Sequence, residues 1–242
     1  TLFIKKIMVH DGVTLRLGDC HSPKVIYLDH TNTNIMHLGD MLFFLEVIWV
    51  CVSSNVPVYL VGSNQLKSFF ALLGVEYAPS FDDVELPGII LTKNDALFSL
   101  RQYKNHIVMG FNFWKLNGDI PISDLIAKRF FDYCNDNYPN LVFTAPNQTF
   151  SQHIKNHYKQ KINQSRMTVV VNSFVESQQI YQTFRQREFS DYVGVIKQKY
   201  DADIICVGSS MDVFKSIQYS VDKDLRGELT IEELLSFLAE KN

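Results

Sequence analysis

The feature that most constrains this chain is an alternation of short apolar segments with helical stretches. Val25–Asp29, Val56–Val61, Gly88–Leu91 and His106–Phe111 read as buried strands. Between them, residues from about Asp40 to Ser53, Gln65–Leu73 and Asp95–Lys104 read as helices, and Pro121–Asn137 as a longer one. Its opening proline sits where a missing N–H does no harm. Parallel neighbours need a crossover connection, so strands interleaved with helices predict βαβ units around a mainly parallel sheet. Ahead of this pattern, Ile4–His10 and Val13–Leu17 flank Asp11-Gly12, a dipeptide suited to a type I′ turn, which predicts a β-hairpin.

The alternation lapses over residues 140–166, which are rich in Asn, Gln, Ser, His and Lys. It resumes with a strand over Met167–Val171, a helix over Phe189–Lys199, a strand over Asp203–Val207, a helical Met211–Tyr219 and a last helix over Ile231–Glu240. Charge changes across the same break. Residues 1–166 carry 15 basic and 14 acidic side chains, whereas residues 167–242 carry 8 and 12. The expected organisation is α/β: a hairpin extension over 1–23, a Rossmann-like domain over 24–145, a linker over 146–166, and a shorter Rossmann-like domain over 167–242.

Composition narrows the function. A net charge of −3 over 242 residues leaves no basic footprint, which argues against a nucleic-acid partner. Cys20, Cys51, Cys134 and Cys206 show neither C-x-x-C nor zinc-ligand spacing, so no metal site is expected and the thiols read as core residues. The longest apolar run, Met41–Val52, contains Glu46 and is too short to span a bilayer. No G-x-G-x-x-G is present, which lowers the dinucleotide option.

Open α/β sheets bind ligands at the carboxyl ends of their strands, which directs attention to the loops there. The first, Asp29-His-Thr-Asn-Thr-Asn-Ile-Met-His-Leu-Gly-Asp40, is long and rich in hydroxyl and amide groups. Asp40 reads either as a helix N-cap or as a general base that takes a proton from an attacking hydroxyl. His37 reads as a surface residue or as its assistant. In the second half, Val171-Asn-Ser is followed by the pair Arg185 and Arg187, then by Val207-Gly-Ser-Ser-Met-Asp212. Gly208 and the small hydroxyl residues would let backbone N–H groups approach a phosphate or ribose, and the arginines could clamp a diphosphate or simply be solvated.

Asp222-Lys-Asp-Leu-Arg-Gly-Glu-Leu-Thr-Ile-Glu-Glu233 has EF-hand spacing, with acids at positions one, three and twelve and glycine at six. Arg226 puts a cation at position five, where an oxygen ligand belongs. The reading preferred here is a turn capped by Thr230 leading into the last helix.

His37-Leu-Gly-Asp-Met-Leu42 together with Asp203-Ile-Ile-Cys-Val-Gly-Ser-Ser-Met-Asp212 and Asp224-Leu-Arg-Gly-Glu-Leu-Thr-Ile-Glu-Glu-Leu-Leu235 resembles the heptosyltransferase-like glycosyltransferases of bacterial lipopolysaccharide assembly, family nine. The resemblance implies a GT-B fold, two Rossmann-like domains facing across a cleft, with the second incomplete and the hairpin an addition. It implies an inverting transfer of a sugar, a heptose among the candidates, from a nucleotide-diphosphate sugar to a lipopolysaccharide or other cell-envelope saccharide acceptor. No cofactor beyond that co-substrate is implied.

By this resemblance Asp40 is the catalytic base and Thr31, Thr33, His37 and Gly39 contact the acceptor. Asn172, Ser173, Arg185, Arg187, Ser209 and Asp212 hold the donor, Asp212 at its ribose. The family works in the cytoplasm at the inner face of the bacterial inner membrane, on saccharide or glycolipid acceptors, which implies peripheral membrane contact. The sequence also departs from the family. Glu46 replaces a proline, Arg185-Gln-Arg-Glu replaces a Lys-x-Trp-Pro run, and the family's Asp-Ser-Gly-x-x-His segment has no counterpart before Asn242. Those departures keep a second reading open, a non-catalytic Rossmann-like module for nucleotide-sugar binding or interaction.

Overall fold

The computed structural model describes residues 7–10, 12–16, 20–93, 105–113, 115–116, 119–150, 152–153, 167–172, 186–217 and 219–241. The chain divides into two compact units, residues 1–150 and 151–242. The first is built on a seven-stranded sheet of order β1-β2-β7-β6-β3-β4-β5. Its strands are β1 Ile7–His10, β2 Val13–Arg16, β3 Val25–His30, β4 Val58–Gly62, β5 Glu76–Ala78, β6 Gly88–Lys93 and β7 Ile107–Phe111. Strands β7-β6-β3-β4-β5 are mutually parallel, as the crossover pattern requires. Strands β1 and β2 are antiparallel and join the sheet through β2 against β7, so β1 forms an edge of this sheet.

Every residue of β3 and of β7 is buried, as expected where both faces of a parallel sheet are covered. On one face Val25, Tyr27, Val61, Ala78, Phe81, Ile90 and Val108 make a continuous cluster. Tyr27 is wholly buried there and donates its hydroxyl to the Leu86 carbonyl at 2.7 Å, which removes the cost of an unpaired phenol. Helices α2 (Leu45–Ser53) and α4 (Ile122–Asn137) pack against each other, burying Val47, Ile48, Cys51, Ile126, Phe130 and Cys134. A short helix α3, Lys67–Ala71, joins β4 to β5.

Some expectations differ from the structure. The helix expected over residues 40–53 is two helices, α1 (Leu38–Leu42) and α2. Phe43 and Phe44 donate to carbonyls only three residues back, and their rings meet Phe113 and Phe111 edge-on, so the helix axis breaks between them. The helix expected over Asp95–Lys104 lies outside the described residues. Strand β5 was not legible because only three residues pair, and one of them is the exposed Glu76.

The second unit has a parallel three-stranded sheet, order β10-β9-β8, from β8 Thr168–Val171, β9 Asp203–Cys206 and β10 Lys223–Asp224. Helix α5, Gln186–Tyr200, connects the first two strands and α6, Ile231–Lys241, follows the third. One face of the sheet packs Val171, Val193, Ile204 and Cys206 and the other Ile205, Val207 and Leu225. In place of the helix expected over Met211–Tyr219 there is a 3-10 helix over Ser210–Phe214, which ends at an extended Lys215. Arg226 takes the carbonyls of Asp212 and Lys215 at 2.6 and 2.7 Å, so the Asp212 carbonyl is drawn to the guanidinium.

Among the described residues no helix is long and apolar enough to cross a membrane.

Candidate functional site

Strands β3 and β6 are adjacent, with β4 and β5 on one side and β7 on the other, so strand order reverses between them. Such a switch point opens a crevice at the carboxyl ends of a parallel sheet. The chain leaves β3 through Asp29, His30 and Thr31, and β6 ends in Thr92 and Lys93.

Asp40 stands beside this crest. It is the third residue of α1, with His37 as the N-cap, and its Oδ2 accepts the His37 backbone N–H at 3.2 Å. The same oxygen accepts the Lys93 ammonium at 3.1 Å, and the two side chains are 17% and 16% exposed. Among the described residues Oδ1 has no donor. Lys93 also reaches the Ile35 carbonyl at 3.4 Å and lies 5.8 Å over the Phe113 ring, which fixes the ammonium from three sides. Asp40 is therefore not the N-cap expected from the sequence but the third residue of the helix, its carboxylate reaching back to the N-cap N–H and oriented by Lys93.

The loop into Asp40 is a compact turn. The Asn32 carbonyl accepts from Ile35 and Met36, the Asn32 side chain accepts from Asn34 at 3.1 Å, and the wholly buried Met36 anchors it. Thr33, His37 and Gly39 are exposed, and a Cβ at Gly39 would meet nothing within 4 Å. Thr31 differs from the other expected acceptor contacts. Its backbone N–H and hydroxyl both donate to Asp29 Oδ1, at 3.0 and 2.7 Å. The Thr31 hydroxyl is thus committed to the protein, and Thr33, His37 and Gly39 are the expected acceptor contacts left open beside Asp40.

Beneath them lie polar groups that sequence reasoning missed. Asp29 is wholly buried, and its Oδ2 accepts the Thr92 hydroxyl at 2.8 Å. The signal available was a polar residue closing an otherwise apolar strand, in Val25-Ile-Tyr-Leu-Asp29 and Gly88-Ile-Ile-Leu-Thr-Lys93. His30 is wholly buried, and among the described residues neither ring nitrogen makes a hydrogen bond. Burial holds its pKa below the ordinary imidazole value, while the nearby Ser63 and Met36 carbonyls act in the opposite sense. Gly62, at φ 111°, lets the β4 exit pass this residue. A Cβ there would come within 2.6 Å of the His30 carbonyl.

In the second unit Asp212 is 3% exposed. Its Oδ2 accepts from the Ser209 N–H and hydroxyl at 2.8 and 2.9 Å, and its Oδ1 from Lys215 at 2.9 Å. Burial alone would raise its pKa, but the Lys215 and Ser209 donors outweigh it and hold the carboxyl below the usual range. Asp212 thus stabilises the turn from beneath, while Ser209 is exposed above it. A Cβ at Gly208 would meet Asp212 Oδ2 at 2.8 Å, which explains the glycine. Asn172 is exposed at the end of β8. Arg187 lies in α5, its side chain outside the described residues, as are Ser173 and Arg185 altogether.

The EF-hand spacing is spent on structure. Asp224 is paired with Arg226, Asp222 accepts from Lys197 and the Ile204 N–H, and Glu233 accepts from the Thr230 N–H as in a capping box. Among the described residues no cluster of His, Cys, Asp or Glu could hold a metal ion. All four thiols are buried and pushed up by burial, Cys134 to about 12, which disfavours a nucleophilic role. A cavity of about 330 Å³ among His21, Lys24, Asn55 and Tyr138 lies at the amino ends of β3 and β4, at the opposite edge of the sheet from Asp40.

No family model matches the chain. No curated protein matches it either. Among solved structures, it is similar to a glycosyl transferase family 9 protein from Veillonella parvula DSM 2008, at 10% identity and a TM-score of 0.48, over 92% of this chain and 75% of that one. It is also similar to E. coli ADP-heptose lps heptosyltransferase II, at 12% identity and a TM-score of 0.45, over 90% of this chain and 77% of that one.

Proposed function

We propose that this protein is an inverting glycosyltransferase in which Asp40 is the base. The observation that carries the reading is the half-buried Asp40 carboxylate at the carboxyl edge of a parallel sheet, with Oδ2 held by Lys93 and His37. Its other oxygen is left to take a proton. The acceptor hydroxyl loses its proton to Oδ1, its oxygen bonds to the anomeric carbon, and the bond from that carbon to the diphosphate breaks. The nucleoside diphosphate departs with the electron pair. Thr33, His37 and Gly39 are the groups nearest in sequence that can meet a polyhydroxylated acceptor, with Thr31 setting the loop behind them.

The donor is a nucleotide-diphosphate sugar, a heptose among the candidates. Ser209 and Asn172 are assigned to it, with Asp212 acting through Ser209 and with Ser173, Arg185 and Arg187 completing the set. The acceptor is a lipopolysaccharide or other cell-envelope saccharide, met at the cytoplasmic face of the inner membrane. A second reading, a non-catalytic nucleotide-sugar-binding module, uses the same donor contacts without a base at Asp40.

A thermal-shift panel with ADP, UDP, GDP and CDP and their sugars tests both. A ligand at a hundred times its Kd adds about 2.7 kcal/mol, a rise of roughly 5–10 °C at this size. A selective rise with one nucleotide is expected; no rise with any of them contradicts both readings. Turnover of the bound donor then separates the enzyme from the module.

A further inference from the structure

We infer that Asp29 is a positioning residue, the tie across the β3/β6 switch point that sets the Asp40–Lys93 pair. The inference rests on the reading of Asp40 as the base. Asp29 is wholly buried and accepts three hydrogen bonds, two from Thr31 and one from Thr92. The strand register runs to Leu28 against Leu91, so Asp29 and Thr92 are the next residues along the two strands. Thr31 begins the loop that delivers His37 and Asp40, and Thr92 precedes Lys93. Lys93 is also held by its pairing with Phe111 of β7, so β6 is fixed from both neighbours.

The loop has less support. Its start is fixed by the two bonds from Thr31 to Asp29, by the Ser63 N–H to the His30 carbonyl at 3.0 Å, and by the buried Met36. The Lys93 contact to the Ile35 carbonyl, at 3.4 Å, then spans loop and strand. Removing the Asp29 carboxylate frees Thr31 to turn outward and leaves Thr92 without its partner. The start of α1 then moves relative to a stationary Lys93, and the 3.1 Å pair opens. The face of the sheet matters as well. Thr92 and Lys93 point to opposite faces of β6, so Asp29 acts through the backbone and not by touching the pair.

The geometry predicts a hierarchy among variants. Asp29→Asn keeps an oxygen for Thr31 and offers an amide N–H to the Thr92 hydroxyl, which can accept, so it preserves the tie. Asp29→Ala removes it. Thr92→Val keeps the shape and removes one strut. The readout is the rate of acetylation of Lys93 by acetic anhydride, followed by mass spectrometry on the whole chain, with the exposed Lys24 and Lys67 as internal references. Breaking the pair by Asp40→Asn should raise Lys93 labelling by about fivefold, the factor that corresponds to a partly exposed ion pair.

Asp29→Ala should raise it similarly, Thr92→Val in the same direction, and Asp29→Asn should stay near the parent rate, with Lys24 and Lys67 unchanged throughout. A rise on Asp40→Asn without any rise on Asp29→Ala or Thr92→Val overturns the inference, as does an unchanged Lys93 in Asp40→Asn. Should Asp29→Ala fail to fold, Thr92→Val alone decides. The labelling needs no sugar transfer, so failure of the proposed activity and failure of the positioning role are read separately.

Discussion

Replacing Arg226 by Met removes a guanidinium that joins the Ser209–Lys215 turn to β10 while keeping most of its apolar stem. The side chain is 8% exposed and bonds both the turn and Asp224. Nη1 donates to the Asp212 and Lys215 carbonyls at 2.6 and 2.7 Å, and Nε and Nη2 grip Asp224 at 2.9 and 2.7 Å. Hydrogen bonds from a charged donor contribute about 1.5–3 kcal/mol each, and the two carbonyls lose theirs together. Asp224 is 40% exposed, so its share is at most about 1 kcal/mol. A loss of about 3–4 kcal/mol is therefore expected after partial rehydration of the carbonyls, a fall in Tm of roughly 6–16 °C. Urea unfolding followed by circular dichroism measures it. Asp224→Ala alone should cost about 1 kcal/mol or less. A loss below about 0.5 kcal/mol for Arg226→Met, the level of an ordinary surface change, would refute the account of this turn.

The buried His30 gives a pH dependence. Its folded pKa is depressed, so the unfolded chain takes up the proton first. Stability is full above about pH 6.5 and falls as pH drops toward the folded value. His30→Leu should remove that part of the slope below about pH 6.5, and an unchanged slope contradicts the assignment. Gly62→Ala should cost about 3 kcal/mol or more, because φ 111° and a 2.6 Å backbone contact both exclude a Cβ. A near-neutral result there would show that the β3 and β4 exits are farther apart than described. Since all four cysteines are buried, a thiol reagent should modify them only as fast as the chain opens. Rapid modification of any one in the native protein would be inconsistent with the packing.

The sheet was legible because its strands are apolar on both faces, and Val25-Ile-Tyr-Leu or Gly88-Ile-Ile-Leu admits few other readings. The break at Phe43 was not, since it depends on Phe113, which is far away in sequence. Asp40 was visible through its place after Gly39 at the start of an apolar helix. Its partner Lys93 and the Asp29–Thr92 tie were not, because they follow from β3 lying beside β6, a register that local periodicity does not encode. Arg226 was legible in one respect only. A cation at the fifth position of a calcium-like loop signalled a structural turn, but its grip on Asp212 and Lys215 is tertiary. Asp212 shows the converse: a residue whose sequence position suggested ligand contact is committed to holding Ser209 and Lys215.

The most direct test of the central claim is release of nucleoside diphosphate from the donor selected by the thermal-shift panel, measured with saccharide acceptors for the parent protein and for Asp40→Asn. The account predicts that the substitution lowers kcat by about 10²–10⁴-fold, the usual contribution of a positioned base, while nucleotide affinity stays the same. Full activity in Asp40→Asn would contradict it and move the base elsewhere.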